Sequence, residues 1–291
     1  MHESNDTVPT SEDKRKAEII AELKEKTAEE IEDSLDFQRV RDAVMNNFWE
    51  HTKRNEGRFI LDEGISDVAK ALNMTPGVIR QCIKESVTPE CLTKIGLDGE
   101  GKTVSLVEVL KTNNYKIHCL LEVLSNLNNQ IEIWTLGDKD WQEDKLRRSG
   151  ADKFIDQDHI HVVEGEKISE LRKIFDEISA RETEKPIHAY VVDDSSENIK
   201  SVKALHDEYS EKGVEVHNYH LKLDDKSADT TAFYKWIKQE RETNPNLILI
   251  LDFDQVIADT NGALRGQACD NIYRIRLAER YNQPKDLPMA A

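Results

Sequence analysis

The run Leu247-Ile-Leu-Ile-Leu251, followed at once by Asp252-Phe-Asp254, constrains the fold more than any other stretch of this chain. An unbroken run of Leu and Ile just after Pro245 reads as a strand buried on both faces. Strands of that kind belong to parallel sheets covered by helices on both sides. The run stops at two acids spaced i and i+2, which in a strand point to the same side. Both acids are therefore expected to project from the strand's C-terminal end, where open α/β sheets place their ligand sites. Such a pair can hold a divalent cation, and it can divide labour between a nucleophile and a proton carrier.

The sequence after Asn129 supplies partners for that strand. Strands are expected at Ile131–Thr135, Ile187–Val192 and Val214–Tyr219, with shorter ones at Phe154-Ile155 and Ile160–Val163. Between them, helices are expected at Trp141–Ser149, stopped by Gly150, at Ile168–Ala180, at Ile199–Lys212, stopped by Gly213, and at Thr231–Glu242. Strands alternating with helices predict βαβ units and a Rossmann-like, mostly parallel sheet, so the fold class is α/β. The first third is different. Helical spacing runs through Ser11–Leu35, Phe37–His51, Ile65–Leu72, Pro76–Glu85, Leu106–Leu110 and Tyr115–Leu127, with a loop at Gly96–Gly101. The organisation expected is a disordered N-terminus (1–13), a helical region (14–114) to which the tail 262–291 contributes, and an α/β core (115–261).

Charge limits what this chain binds. With 40 Lys and Arg against 57 Asp and Glu, the formal net charge is −17. That disfavours nucleic acid and anionic membranes as partners, since both need basic patches. Residues 65–85 have the apolar pattern of a helix-turn-helix, in Val68, Leu72, Met74, Ile79 and Cys82. No basic surface accompanies it, so a helical hairpin is the expectation, and a protein partner through the helical region stays open. No apolar run is long enough to span a bilayer, and Met1 to Lys16 is polar, with no signal-peptide core. Cys82, Cys91, Cys119 and Cys269 form no CxxC pair and read as small core residues of a reduced compartment, so the expected location is cytoplasmic. Asp156, Asp158, His159 and His161 read as a polar loop rather than a metal cluster.

Three expected strands end in polar groups: Thr135, the pair Asp193-Asp194, and Asp252-x-Asp254. A parallel sheet brings those ends to one edge. Four carboxylates gathered there repel each other, and a hard cation such as Mg²⁺ is the natural remedy. Thr135 can donate a hydrogen bond to a phosphate, and Lys167 or the nearby Lys173 can neutralise it.

At this point the residues resemble a known family. Asp252-Phe-Asp254-Gln-Val256-Ile257 resembles the first motif, DxDx[TV], of the haloacid dehalogenase-like superfamily. The strand ending in Thr135 is similar to its second motif, Lys167 to its third, and Val191-Val-Asp193-Asp194-Ser-Ser-Glu-Asn198 to its fourth. Lys145 to Asp156 is similar to the segment that follows the second motif. The spacings of 32 residues (135 to 167) and 26 residues (167 to 193) suit the family. The order does not. The first motif comes last here, which implies a circular permutation whose new ends fall inside a helical cap. Permutation at an exposed loop is tolerated when termini lie close together.

The resemblance implies a Mg²⁺-dependent phosphohydrolase acting on a small phosphorylated substrate. It implies Asp252 as nucleophile, Asp254 as general acid and base, and Thr135 and Lys167 as holders of the phosphoryl oxygens. The metal set it implies is Asp252, Asp254 through its backbone carbonyl, and Asp193 or Asp194. Gln255 departs from the small residue often found there and is expected to crowd or tune the site. The permutation requires the 247–251 strand to lie between the strands ending at Thr135 and Asp193. A second resemblance, to a phosphoacceptor receiver domain with Asp252 as acceptor, leaves Thr135 unexplained. It also implies a shorter separation than the 59 residues between Asp193 and Asp252, and more chain after Asp252. A catalytically inactive binding protein on the same fold is the third reading.

Overall fold

The computed structural model describes residues 35–55, 60–93, 96–97, 103–104, 119–127, 130–181, 186–221 and 228–281. The expected disordered N-terminus, residues 11–34 of the expected first helix, the helix expected at Leu106–Leu110 and the tail from 282 lie outside the described residues. In chain order the elements are α1 (Leu35–Arg54), α2 (Leu61–Leu72), α3 (Pro76–Ser86), α4 (Glu90–Thr93), β1 (Gly96–Leu97), β2 (Thr103–Val104), α5 (Leu120–Ser125), β3 (Gln130–Leu136), α6 (Lys139–Ser149), β4 (Ile160–Val163), α7 (Lys167–Ser179), β5 (Ile187–Asp193), α8 (Ser196–Lys203), α9 (His206–Ser210), β6 (Val214–His220), α10 (Ala228–Thr243), β7 (Leu247–Leu251), α11 (Thr260–Ala263) and α12 (Cys269–Tyr281). A π-helical turn, Leu264–Ala268, joins the last two.

The chain divides into two compact units. The larger holds the described residues among 51–61 and 87–263 and is built on a five-stranded sheet with order β4-β3-β7-β5-β6. Every neighbouring pair in it is parallel. This is a Rossmann-like α/β sheet, as the alternating sequence pattern requires. All five residues of β7 are buried, which only a strand covered on both faces achieves. Burying each such Leu or Ile is worth about 1.5–3 kcal/mol, enough to place β7 in the middle of the sheet. It lies between β3 and β5.

Helices pack on both faces of the sheet. On one face Leu171, Ile174, Phe175 and Ile178 of α7, with Val202, Leu205 and Tyr209, pack on Trp134, Ala189, Val191, Val216, Ile248 and Ile250. On the other, Phe233 and Trp236 of α10 meet Tyr190 and Tyr219. Local signals set the ends of α6: the Asp138 side chain accepts from the Trp141 N–H at 2.9 Å, and Gly150 stops the helix at φ 78°.

Three local expectations are corrected. Phe154-Ile155 is no strand; it follows the 3₁₀ turn Ala151–Lys153. The helix expected at Ile199–Lys212 is two short helices, α8 and α9. The loop expected at Gly96–Gly101 begins with β1, which pairs antiparallel with β2.

At the β3–β4 edge the buried Glu132 accepts hydrogen bonds from Gln130 (2.7 Å), His159 (3.0 Å) and His161 (3.1 Å). His159 and His161 thus serve a carboxylate of the sheet; the segment expected as a polar loop is a 3₁₀ turn, Gln157–His159, that runs into β4, where His161 lies. Burial pushes the Glu132 carboxyl up, but the bonds from His161 and Gln130 and the charge of His159 outweigh it and hold it below its ordinary 4.5. A depressed folded value adds stability above the unfolded value, and this is lost as pH falls through the folded one. Glu132→Gln is therefore expected to cost about 1.5–3 kcal/mol at neutral pH, the worth of hydrogen bonds to a charged group. The Tm difference from wild type, followed by circular dichroism, is expected to close as pH drops below the ordinary glutamate value. A difference that does not change with pH contradicts this.

The smaller unit holds the described residues 35–50, 62–86 and 264–281. Helices α2 and α3 turn at Asn73, whose φ of 52° is the left-handed conformation that Asn tolerates, and Pro76 opens α3. Their facing residues Ile65, Val68, Leu72, Ile79, Cys82 and Ile83 are buried. Phe37 of α1 meets Tyr273 of α12 edge to face at 5.7 Å, so the C-terminal helix shares a core with helices from the first third. Arg80 is paired with Asp62 at 2.6 Å. All four cysteines are buried and unbridged. No described helix is long and apolar enough to cross a membrane.

Candidate active site at the strand ends

Asp252 follows the last residue of β7. The register that sets Val192 opposite Leu251 brings Asp193 level with it, and the Asp252 N–H donates to Val192 O at 2.9 Å. On the other side Ile133 lies opposite Leu251, so Trp134 and Thr135 reach the same edge. This is the C-terminal edge of the sheet, at the place where successive crossovers leave in opposite directions.

Lys167, the first residue of α7, joins these strands. Its ammonium lies 2.7 Å from Asp193 Oδ2 and 3.0 Å from Asp252 Oδ1, and its side chain is 6% exposed. Trp134 fixes it from below: the indole Nε1 donates to Lys167 O at 3.0 Å, and the ammonium sits 4.2 Å from the ring centroid. Burial pushes the Lys167 ammonium toward neutrality, but Asp252 and Asp193 outweigh it and hold its pKa above the ordinary value. Lys173 is exposed and paired with Glu170, so Lys167 is the lysine of this site.

Asp193 is tied down by the start of α8. Ser195 caps that helix by accepting from the Asn198 N–H at 3.4 Å, and the Ser195 N–H donates to Asp193 Oδ1 at 2.7 Å. The Asn198 amide donates to both Asp193 oxygens, at 3.1 and 3.0 Å. Asp194 beside it is pushed up to about 6, by burial first and then by the charge on Asp193. Asp252 is pushed up to about 7, by burial first, with the neighbouring acids adding and Lys167 opposing. One carboxylate oxygen from each of Asp193, Asp194 and Asp252 lies within 4.8 Å of the others. Two of these acids, Asp193 and Asp252, share the Lys167 ammonium, and hard oxygen donors so gathered suit Mg²⁺.

Asp254 does not share this cluster as the i, i+2 rule leads one to expect. The strand ends at Leu251, so alternation does not carry on to Asp252 and Asp254. Asp254 Oδ2 instead meets α6, with Lys145 Nζ at 2.5 Å and Gln142 Nε2 at 3.4 Å. Burial pushes the Asp254 carboxyl up, but the Lys145 ammonium outweighs it and holds it below the carboxylate range. Gln142 also donates to Leu136 O at 2.7 Å, an approach that Gly137 permits: a Cβ there would come within 2.5 Å of the Gln142 amide. Gln255 turns to the start of α11. In the orientation that satisfies both donors, its amide oxygen accepts from the Thr260 (3.1 Å) and Asn261 (2.9 Å) N–H groups, capping α11.

Thr135 is 1% exposed, and its hydroxyl has no hydrogen-bond partner, nor has Asp254 Oδ1. Buried polar atoms are rarely left so, and both fit atoms that await a ligand. The structure thus brings Asp252, Asp193, Asp194 and Lys167 together, sets Asp254 against a second lysine, and leaves the Thr135 hydroxyl unpaired at the same sheet edge. The sequence reading missed Lys145, Gln142, Trp134 and Asn198 as members. The one available signal was on α6, where Trp141, Gln142, Lys145, Leu146 and Ser149 form a single helical face. No protein-family model, no curated protein and no solved structure matches the chain.

Proposed function

We propose that the chain is a Mg²⁺-dependent phosphohydrolase that works through an aspartyl-phosphate on Asp252, as the resemblance to the haloacid dehalogenase-like superfamily implies. The observation that carries this reading is the buried bridge from Asp252 through Lys167 to Asp193 at the end of the central strand. A carboxylate held there faces a phosphoryl group with its nucleophilic oxygen, while Lys167 and the Thr135 hydroxyl hold the phosphoryl oxygens as charge moves onto them. Asp252, Asp194, Asp193 and the Asp254 backbone carbonyl are the groups to hold Mg²⁺, which when bound neutralises the transferring group's charge. The resemblance makes Asp254 the general acid and base; the ionised form that Lys145 favours takes a proton from the attacking water, and an aryl leaving group departs without needing one. A small phosphorylated substrate agrees with the acidic chain, which disfavours polyanions. The circular permutation remains part of the proposal, and the central place of β7 supports it.

The direct test is hydrolysis of an aryl phosphate in Mg²⁺ and in EDTA. Turnover in Mg²⁺ and its loss in EDTA are expected. A chain that is inert across a panel of phosphate esters contradicts the reading, and stable labelling of Asp252 by acetyl phosphate without turnover favours a receiver instead.

Lys145 makes a separate prediction. It holds Asp254 ionised, the form needed to activate water. Lys145→Met removes the opposing charge, so the Asp254 pKa rises. With an aryl leaving group that needs no proton, the acid limb of the kcat–pH profile is expected to move to higher pH. A limb that stays in place sinks this role for Lys145.

A further inference from the structure

A second group of ligand-type side chains lies elsewhere on the sheet. In the β5–β6 register His188 is opposite Glu215 and Tyr190 is opposite His217. All four therefore point to one face, the face that α10 covers with Trp236. His188 Nδ1 lies 3.2 Å from His217 Nε2 and 3.3 Å from Glu215 Oε2, and one ligand atom from each of the three residues lies within 4.8 Å of the others. A tetrahedral zinc centre, with metal–ligand distances of about 2.0–2.1 Å, sets its ligand atoms about 3.3 Å apart. The separations of 3.2 and 3.3 Å match that spacing.

The surroundings hold the ligands in place. Tyr190 stacks on His217 with centroids 4.4 Å apart and an interplanar angle of 13°. The Tyr190 hydroxyl is itself fixed by donating to Glu240 Oε2 at 2.5 Å. Paired strands hold both backbones, and oriented rings on rigid elements are what a preorganised metal site needs. The Glu215 side chain is 46% exposed and that of His188 is 17% exposed, so an ion has a way in from solvent. His188 precedes Asp193 by five residues of extended chain, about 16 Å, so this group is separate from the acidic cluster.

We propose that His188, Glu215 and His217 bind one borderline transition-metal ion, with Zn²⁺ the fitting occupant and its fourth position open to water or another small ligand. Two imidazoles and a carboxylate select such an ion over Mg²⁺, which prefers an all-oxygen shell.

The test is calorimetric titration of the full chain with Zn²⁺, after stripping with chelator and in excess Mg²⁺. A micromolar or tighter Zn²⁺ event is expected in wild type and in Asp252→Asn. It is expected to weaken at least about tenfold in His188→Ala and in His217→Ala, since even groups that merely support ligands cost that much. Circular dichroism in EDTA checks that each variant is folded. If a histidine variant fails to fold, Glu215→Gln, altered at an exposed side chain, decides by the same weakening. The proposal is overturned if wild type shows no such event, if the event survives at full affinity in these variants, or if it disappears in Asp252→Asn.

Discussion

Asp252→Asn is expected to lower Mg²⁺-dependent hydrolysis of an aryl phosphate by at least about 10³-fold. An amide cannot attack phosphorus to form an acyl phosphate, yet it has the shape of the carboxylate it replaces. The fold is expected to survive, because Lys167 keeps Asp193 as its partner when position 252 loses its charge. Burial and the neighbouring acids push that carboxyl up to about 7, and Asn brings no charge to desolvate. A stable protein without turnover therefore assigns the loss to chemistry. Asp254→Asn is expected to behave differently. It leaves the first displacement possible and removes the base for the second, at a cost of about 10²–10⁴-fold. The expected trace is a burst of released aryl alcohol close to one equivalent, followed by slow turnover. If Asp252→Asn retains more than about a tenth of wild-type activity, Asp252 is not the nucleophile.

Lys167→Met is expected to cost about 3–5 kcal/mol of stability in EDTA, the usual cost of removing one partner from a buried ion pair. The ammonium is nearly sealed from solvent, lies 2.7 and 3.0 Å from two carboxylates and rests over the Trp134 ring. Without it, Asp193 and Asp252 remain buried with no cation between them. Mg²⁺ supplies a replacement charge, so the variant is expected to gain more in Tm from Mg²⁺ than wild type does. Lys173→Met is the control, since an exposed lysine paired with Glu170 is worth at most about 1 kcal/mol. If the two variants melt alike in EDTA, or if Mg²⁺ helps Lys167→Met no more than wild type, Lys167 does not neutralise a metal-binding cluster.

The parts of the fold that rest on one strong physical signal were readable from the chain. An unbroken run of Leu and Ile at 247–251 has only one comfortable place, the middle of a helix-covered parallel sheet. A parallel sheet puts its strand ends on one edge, so the meeting of Asp252 and Asp193 follows from the pattern, whereas the choice of Lys167 over Lys173 does not. Nor does the fate of Asp254. The i, i+2 rule holds only while the backbone is extended, and the strand ends at Leu251, before either acid. Lys145 is hidden for a different reason: beside Arg147 and Arg148 it looks like one more solvated cation. Only the opposite face of α6, with Trp141 and Leu146 turned inward, separates it from them. Trp134 reads as core and is core, but its buried indole N–H needs an acceptor, and that need positions Lys167. The short hairpin of β1 and β2 and the break between α8 and α9 depend on tertiary packing that a few residues of local pattern do not encode.

The most direct measurement is chemical trapping of the intermediate. During turnover of an aryl phosphate in Mg²⁺, an acyl phosphate on an aspartate is reduced by borohydride to homoserine, and mass spectrometry of the peptides locates it. Homoserine is expected at position 252 alone, more abundant in Asp254→Asn than in wild type, and absent in EDTA. Homoserine at 193 or 194, or none at all while the protein turns over substrate, contradicts Asp252 as the phosphorylated residue.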